Sequence, residues 1–512
     1  MWRKPWCVTT EIWAANMALP LRHKSMHQKQ SPLPIGFSLI LLLLAVAGGF
    51  WLFYPQKSKS PLTEGAIAAK PGETVAATPT TAKEIIQPGE VRPLPGKLDE
   101  VPMFNSNSPE WIKKEGILLS AFPSTGKTTP AAHLNFPLEG KFELFAHHFT
   151  HTPPDLQTLY IGVIVNNPGV QPVTVDISQA ASYLMAPDAP FQEKPAISEN
   201  PQGEVYSGPG IRAVDNILRG IRQADFPPQI VIPPGQSQML LNHPIPVRGL
   251  EKPVNGRSTF MRLHSSGKVY VASMAMYAKK NNDGTERAPT LAEWQLLLET
   301  GGFAQPRDKT PTPPGATGGA LIYSRVAGVQ KGSKWETTIT DEGANQLTIP
   351  KPGLAISYGI STLRAGTLGT RQSQSAPLLV RYPDTAYESH GNYGVHYDLT
   401  LPLRNSTQEP QKVTVSLETP QKEERLSQGG LIFRQPPWDF PFFRGTVRLR
   451  YQDDRGVPVT RYVHLWHRRG QVLPPLVELN LAGGEVRQVG VDFLYPPDAT
   501  PPQVLTVRTL GG

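Results

Sequence analysis

The side chains able to do chemistry are scattered along this chain, and none of them stands at a spacing that names a reaction. Gly126-Lys127-Thr128 has the ending of a phosphate-binding loop. That loop needs a glycine five positions before Gly126, where Ala121 stands. Pro130 also blocks the helix whose N–H groups must face the phosphate. A surface turn accounts for the segment better. His147, His148 and His151 form the densest histidine group. On a strand, His147 and His151 face one way and His148 the other, so three ligands converge on a metal only across a bend. No metal site and no cofactor are assigned. The chain holds no His-Glu-x-x-His and no Gly-x-Ser-x-Gly, two common hydrolase signatures. Asp188, Glu204, Asp215 and Asp225 are carboxylates of the first half. Glycoside cleavage needs two carboxylates at a set distance in space, which chain order does not supply. Asn282-Asp283-Gly284 reads as a hairpin turn and lacks the ligand spacing of a calcium loop. Catalytic residues are therefore left unknown.

Binding is the other chemistry open to these residue types. Arg212, Asp215, Asn255 and Arg257 offer charge and amide groups for a polar pocket, and turn chemistry explains them equally well. Trp438, Phe440, Phe442 and Phe443 lie among Pro436, Pro437 and Pro441. Exposed, these rings stack on sugar faces or a protein partner; buried, they fill a core. Arg212, Asp215, Asn255, Arg257 and Trp438 are the candidate ligand-binding residues. The run Arg461, His464, His467, Arg468, Arg469 reads as a solvated strand edge.

Several function classes are excluded by where the charge lies. The net charge is +8 over 512 residues. Arg3, Lys4, Arg22, Lys24 and Lys29 against Glu11 put +4 of it in the first 34 residues. Residues 55–100 are neutral overall, leaving +4 on the large remainder. Nucleic-acid binding wants a concentrated basic patch, so no nucleic acid is expected as partner. Cys7 is the one cysteine, so no disulfide can form within the chain.

These residues must be positioned by β structure. Pro (54) and Gly (45) are abundant, which interrupts helices and favours turns. Before the body, residues 35–54 run about twenty positions without a charge, enough to span a bilayer as a helix. Basic residues precede this run, and Trp51 and Tyr54 close it, which places the N-terminus in the cytoplasm and the rest outside. Ala45-Val46-Ala47 offers a signal-peptidase site, but the apolar run continues through Phe53, which favours an uncleaved anchor. Residues 55–100 are rich in Pro, Ala, Thr, Lys and Glu and read as a disordered tether.

In the body, Ile161, Val163 and Val165 alternate, then comes Asn166-Asn167-Pro168-Gly169, then Val173, Val175 and Ile177. This predicts a β-hairpin. The design returns at Val395 to Leu403, Asn405, and Val413 to Leu417. Both copies share Asn, a Pro five positions later and Val-Thr-Val, with the second turn about two residues longer by the position of that motif. Gly-led strands follow at Gly235 and Gly484, so either a duplication or two unrelated β domains with similar turns is implied. Thr290-Leu291-Ala292-Glu293 is a capping box that opens a helix ending at Gly301. A second helix is expected from Ile211 to Leu218, burying Ile211, Val214 and Leu218 and exposing Arg212, Asp215 and Arg219. Ser108-Pro109 would start a third. The fold class is mainly β: two tandem antiparallel β-sandwich-like domains with a few short helices, after an N-terminal transmembrane helix. The parts are a leader (1–34), anchor (35–54), tether (55–100), first β-rich domain (101–305), connector (306–320) and second domain (321–512).

Ser182-Tyr183-Leu184 with Pro187-Asp188-Ala189-Pro190-Phe191, Gly208-Pro209-Gly210 with Arg212, Pro244-Ile245-Pro246-Val247, Asn255-Gly256-Arg257-Ser258-Thr259, Val269-Tyr270-Val271-Ala272-Ser273 and Gly394-Val395-His396-Tyr397-Asp398-Leu399 together resemble an uncharacterised cyanobacterial exported family, domain of unknown function 3370. The resemblance implies an envelope protein and carries no activity or catalytic residue. The expectation is a single-pass plasma-membrane protein with its body on the periplasmic side. It acts as a non-enzymatic binding or structural module with an envelope polysaccharide or protein as partner. The alternative is a polysaccharide-acting hydrolase or lyase using carboxylates of the first domain.

Overall fold

The computed structural model describes residues 82–511. The leader, the anchor at 35–54 and the tether up to residue 81 lie outside the described residues. The chain is mainly β, with a 12-stranded, a 7-stranded and a 5-stranded sheet and two small two-stranded ones. Among the described residues two α-helices occur, Pro209–Leu218 and Leu291–Thr300, and no helix is long and apolar enough to cross a membrane.

Two bodies are built around two apolar cores. In the first, the 24-residue strand Val254–Tyr277 serves both layers. Its beginning pairs with Leu138–His151 and Val173–Leu184, its end with Gly116–Ser120 and Leu159–Asn166. Leu144, Met261 and Val175 then meet Val163, Val165 and Val271 in one core. In the second body the 7-stranded and 5-stranded sheets face each other. Leu399, Leu401, Val447 and Val489 of one pack against Val413, Val415, Leu505 and Val507 of the other.

Both predicted hairpins are arches instead. Leu159–Asn166 pairs with Ser237–Ile245, and Val173–Leu184 with Gln229–Ile232. Likewise His396–Arg404 pairs with Val486–Leu494, and Gln411–Glu418 with Val477–Leu481. The reason is that both strands of each pair bury one face in the same core, so they must approach it from opposite layers. The chain leaves its sheet at a buried asparagine that satisfies the freed backbone groups. Asn167 Nδ2 donates to the carbonyls of Gln171 (2.7 Å) and Ile232 (3.0 Å), and Oδ1 accepts from Gly169 N (2.8 Å). Asn405 Nδ2 donates to Glu409 O (2.8 Å) and Leu481 O (3.0 Å), and Oδ1 accepts from Thr407 N (3.0 Å). The asparagine N–H bonds Gln236 O in one copy and Glu485 O in the other, both at 2.9 Å. The bodies therefore repeat one design. The second arch is not longer: Val173 and Gln411 open their strands at equal distance from the asparagine, and only Val-Thr-Val is displaced by two positions.

Other expectations need correction as well. Part of the tether is strand: Lys83–Gln87 pairs with Leu431–Gln435, and Glu90–Arg92 with Ala355–Ile360. Its Ile85, Val91 and Leu94 supply the apolar side chains that this requires. Ser108-Pro109 opens no helix; Trp111 and Ile112 continue as a strand beside Phe149 and Thr150. The capping box holds, with Glu293 N donating to Thr290 Oγ1 and Thr290 N to Glu293.

The bodies meet along one seam. Glu143 lies opposite Arg262, Phe145 opposite Phe260 and His147 opposite Ser258, on one face by the period-two rule. The second body sets His396, Asp492, Leu494 and Asp498 against them. Gly394 approaches so closely that a Cβ there would stand 2.4 Å from Phe260 Cε2, and its φ is +86°. Helix Pro209–Leu218 wedges between the bodies, touching strands of both. Strands also cross: Ala327–Lys331 extends the first body's sheet at Pro102–Ser106, and Ile197–Glu199 joins the second body at Pro458–Arg468.

Two outcomes follow. Asn167→Ala and Asn405→Ala each orphan buried backbone groups, and each should cost about 2 kcal/mol or more in chemical denaturation, by similar amounts if the arches are equivalent. Gly394→Val should cost more than about 3 kcal/mol by the same measurement, because it combines a left-handed φ with a clash at the seam.

Candidate functional site

Three of the five residues expected to bind converge, and they converge on a loop of the protein itself. Asn255 is fully buried; its Nδ2 donates to Ala186 O (2.8 Å) and Pro246 O (2.7 Å), and its Oδ1 accepts from Ala186 N (3.0 Å). Arg257 donates from Nε to Pro244 O and from Nη1 to Ser182 Oγ, both at 3.0 Å. Burial pulls its guanidinium down to about 10, against the pull of Asp188. Arg212 Nη1 donates to Asp188 O (2.7 Å), with its guanidinium over the rings of Tyr183 and Tyr206. Asp188 Oδ2 accepts from Leu184 N (2.9 Å). These groups clamp the 182–190 turn. Asp215 lies apart and, contrary to the helix reading, is buried with Arg219 (Nε to Oδ2, 2.8 Å), because the helix packs on both bodies. Arg219 also stacks on Tyr462 of the second body. Trp438 is at a different edge, half-buried between Arg434 and Arg469 at 4.6 and 4.8 Å from its ring centre.

The seam carries chemistry that chain order does not reveal. His147 Nδ1 lies 2.7 Å from Ser258 Oγ, and its Nε2 lies 3.5 Å from Asp498 Oδ1. These are the residue types of a nucleophilic triad. Burial lowers the His147 pKa, but the attraction and hydrogen bond of Asp498 together raise it above the ordinary 6.5. A protonated His147 donates to Ser258, which makes that hydroxyl an acceptor rather than an activated nucleophile. Ser258 is also fully buried, and a Cβ on Gly210 would stand 3.3 Å from its Oγ. The group is a buried polar pin between the bodies. His148 points to the other face, with Nδ1 2.9 Å from Pro109 O, and burial drops it to about 3.

At the other end of the seam a chain of charge runs from core to surface. Arg262 Nε donates to Glu143 Oε1 (2.9 Å), and its Nη2 approaches His396 Nδ1 (3.5 Å). His396 Nε2 faces the fully buried Asp492 at 3.8 Å. Arg448 grips Asp492 with Nε and Nη2, and Arg450 joins Asp492 to Asp398. Lys334 takes the other oxygen of Asp398 at 3.0 Å. His396, Asp398 and Asp492 bring ligand-type atoms within 4.8 Å of one another. Their four carboxylate oxygens already accept from Arg448, Arg450 and Lys334, so a metal would have to displace three cations that the fold holds in place. Burial raises Glu143 to about 7 against Arg262, and lowers His396. Asp492 is held below its ordinary value: burial raises it, and the bonds from His396 and Arg448 outweigh that. The spacing Glu143, Phe145, His147 was visible in the sequence; their partners were not.

The pH dependence has a definite sign at both ends. His147 titrates higher in the folded state, so its pin is complete below about pH 6.5 and lost as pH rises through the folded value. The melting-temperature gap between wild type and His147→Gln should be widest below about pH 6.5 and narrow as pH rises above it. Glu143 also titrates high, so the folded state loses stability as pH rises from about 4.5 through about 7. Glu143→Gln should melt like wild type at about pH 4 and gain on it by about pH 8.

No curated protein matches the chain. Among solved structures, Lac15 from a marine microbial metagenome is similar at 11% identity over 82% of this chain and 65% of that one, just under two thirds of its length, with a TM-score of 0.11. The 11S allergen from Cocos nucifera L. is similar at 9% identity over 84% of this chain and 90% of that one, with a TM-score of 0.10. Neither likeness carries an argument about fold or activity. The family model described as "Protein of unknown function (DUF3370)" matches residues 89–509, most of the sequence and nearly all of both β bodies. The chain belongs to the DUF3370 family.

Proposed function

We propose that this DUF3370 protein is a non-enzymatic binding or structural module of a cyanobacterial cell envelope. Residues 35–54 hold it in the plasma membrane as a single-pass anchor, and the body lies on the periplasmic side with an envelope polysaccharide as partner. The uncharged run behind a basic leader supports the topology. In this reading the bodies are tandem β-sandwich-like domains joined near 306–320. The observation that carries the non-enzymatic reading is the use made of reactive residue types. Ser258, His147, Asp498, Glu143 and Asp492 are bonded within the buried seam where the bodies meet, and a substrate would have to part the bodies to reach them.

Alkaline phosphatase fused after residue 100 should be active in intact cells, and activity only of a cytosolic reporter there would overturn the topology. Incubated with isolated envelope polysaccharide, the full-length protein should be retained on the polymer and leave its chain length unchanged. Shortening of the polymer, followed by chromatography, would overturn the non-enzymatic reading.

A further inference from the structure

The outer face of the 7-stranded sheet holds a buried side chain with no partner. His464 is fully buried on strand Pro458–Arg468, and neither ring nitrogen has a hydrogen bond. Leaving both unmade costs about 1–3 kcal/mol, which a fold tolerates where a ligand completes the bonds. Thr446 and Ser198 flank His464 on neighbouring strands, and Asn200 Nδ2 donates to Thr446 Oγ1 (3.1 Å), so the Asn200 side chain reaches across the strand that carries His464. Burial first, and then the nearby cations Lys194 and Arg444, lower its pKa to about 3 and keep it neutral, with one N–H to donate.

Cations and rings gather around this point. Arg468 stands on the same face as His464 and has a buried Nε without a partner, while its Nη2 bonds Glu193 (2.7 Å). Arg444 lies over Phe191 (4.7 Å to the ring centre) and Arg468 over Trp466 (5.3 Å). At the rim, Arg434 and Arg469 hold Trp438, and Phe440 is 42% exposed beside them. A guanidinium stacked by its face on a ring keeps its N–H groups in one plane, the geometry in which it meets an oxyanion. Lys194, Arg434, Arg444, Arg468 and Arg469 outnumber Glu193 and Asp439, which pair with Arg468, and Asp498, which feels Arg444. This is a cationic donor set with aromatic walls, which suits an acid group carried on a sugar ring.

We propose that this face, from His464, Arg444 and Lys194 out to Trp438, binds the acid groups of an anionic envelope polysaccharide. The inference rests on the reading of the chain as an envelope binding module and names its ligand class. Two sources of the acid group, uronate carboxylate and sulfate ester, share this chemistry.

Titration calorimetry of the full-length protein in detergent, at low salt, tests it with polygalacturonate, dextran sulfate and uncharged dextran. At least one acidic polymer should bind, the tighter one naming the acid group, and dextran should not. Arg444→Gln and Arg468→Gln should each weaken binding about tenfold. His464→Phe fills the same space without a donor, so it should weaken binding with the melting temperature kept or raised. Equal binding of dextran, or acidic binding untouched by all three variants, overturns this site and leaves the binding-module reading standing. Failure to bind any of the polymers and isolated envelope polysaccharide overturns both.

Discussion

Three cross-strand rungs on one sheet face, matched by two strands and one turn of the second body, decide how the molecule is assembled. The middle rung, Phe145 with Phe260, is apolar and closes on Gly394 and Leu494. The outer rungs are polar and buried, Glu143 with Arg262 and His147 with Ser258. Buried charge pairs add little net stability, because desolvation offsets their attraction. They do penalise every misplaced arrangement, since a displaced body would part His147 from Asp498 and Arg262 from His396. The apolar rung thus supplies attraction and the polar rungs supply register.

The same logic explains the repeated arch. A sheet that must send its chain to the opposite layer breaks a ladder and frees backbone groups. One buried amide side chain, with two donors and an acceptor, repairs the break in each body. That two bodies of unlike sheet composition use the asparagine on the same partners speaks for duplication over chance. They differ in the strands added around the arch.

Electrostatics separates these two places. In the seam each buried carboxylate has an arginine, lysine or histidine within reach, and charge is neutralised internally. On the outer face near His464 cations exceed anions, and a buried imidazole lacks partners. The first is consistent with a joint, the second with a surface that receives something from outside. Arg212, Asn255 and Arg257, singled out for their polarity, turned out to serve a third purpose, holding the 182–190 turn against the first sheet.

Strand positions, the capped helix at Leu291–Thr300 and the repeat were legible because each depends on local alternation, turn residues and caps. Pairing was not legible. Alternation around Asn167 and Asn405 fits a hairpin and an arch equally, since period two states which face is buried and not which layer the strand occupies. For the same reason Glu143, Phe145 and His147 could be placed on one face, while Arg262, Asp492 and Asp498, distant in the chain, could not be assigned to them. Trp438 could be marked for its ring, but the arginines that flank it and the buried His464 behind them come together only by strand register. Sequence by itself determined the β class, the repeated element and the family resemblance, because these rest on interactions between near neighbours. Tertiary structure alone decided the arches, the seam and the cationic face, because long-range pairing selects among partners that local chemistry leaves equivalent.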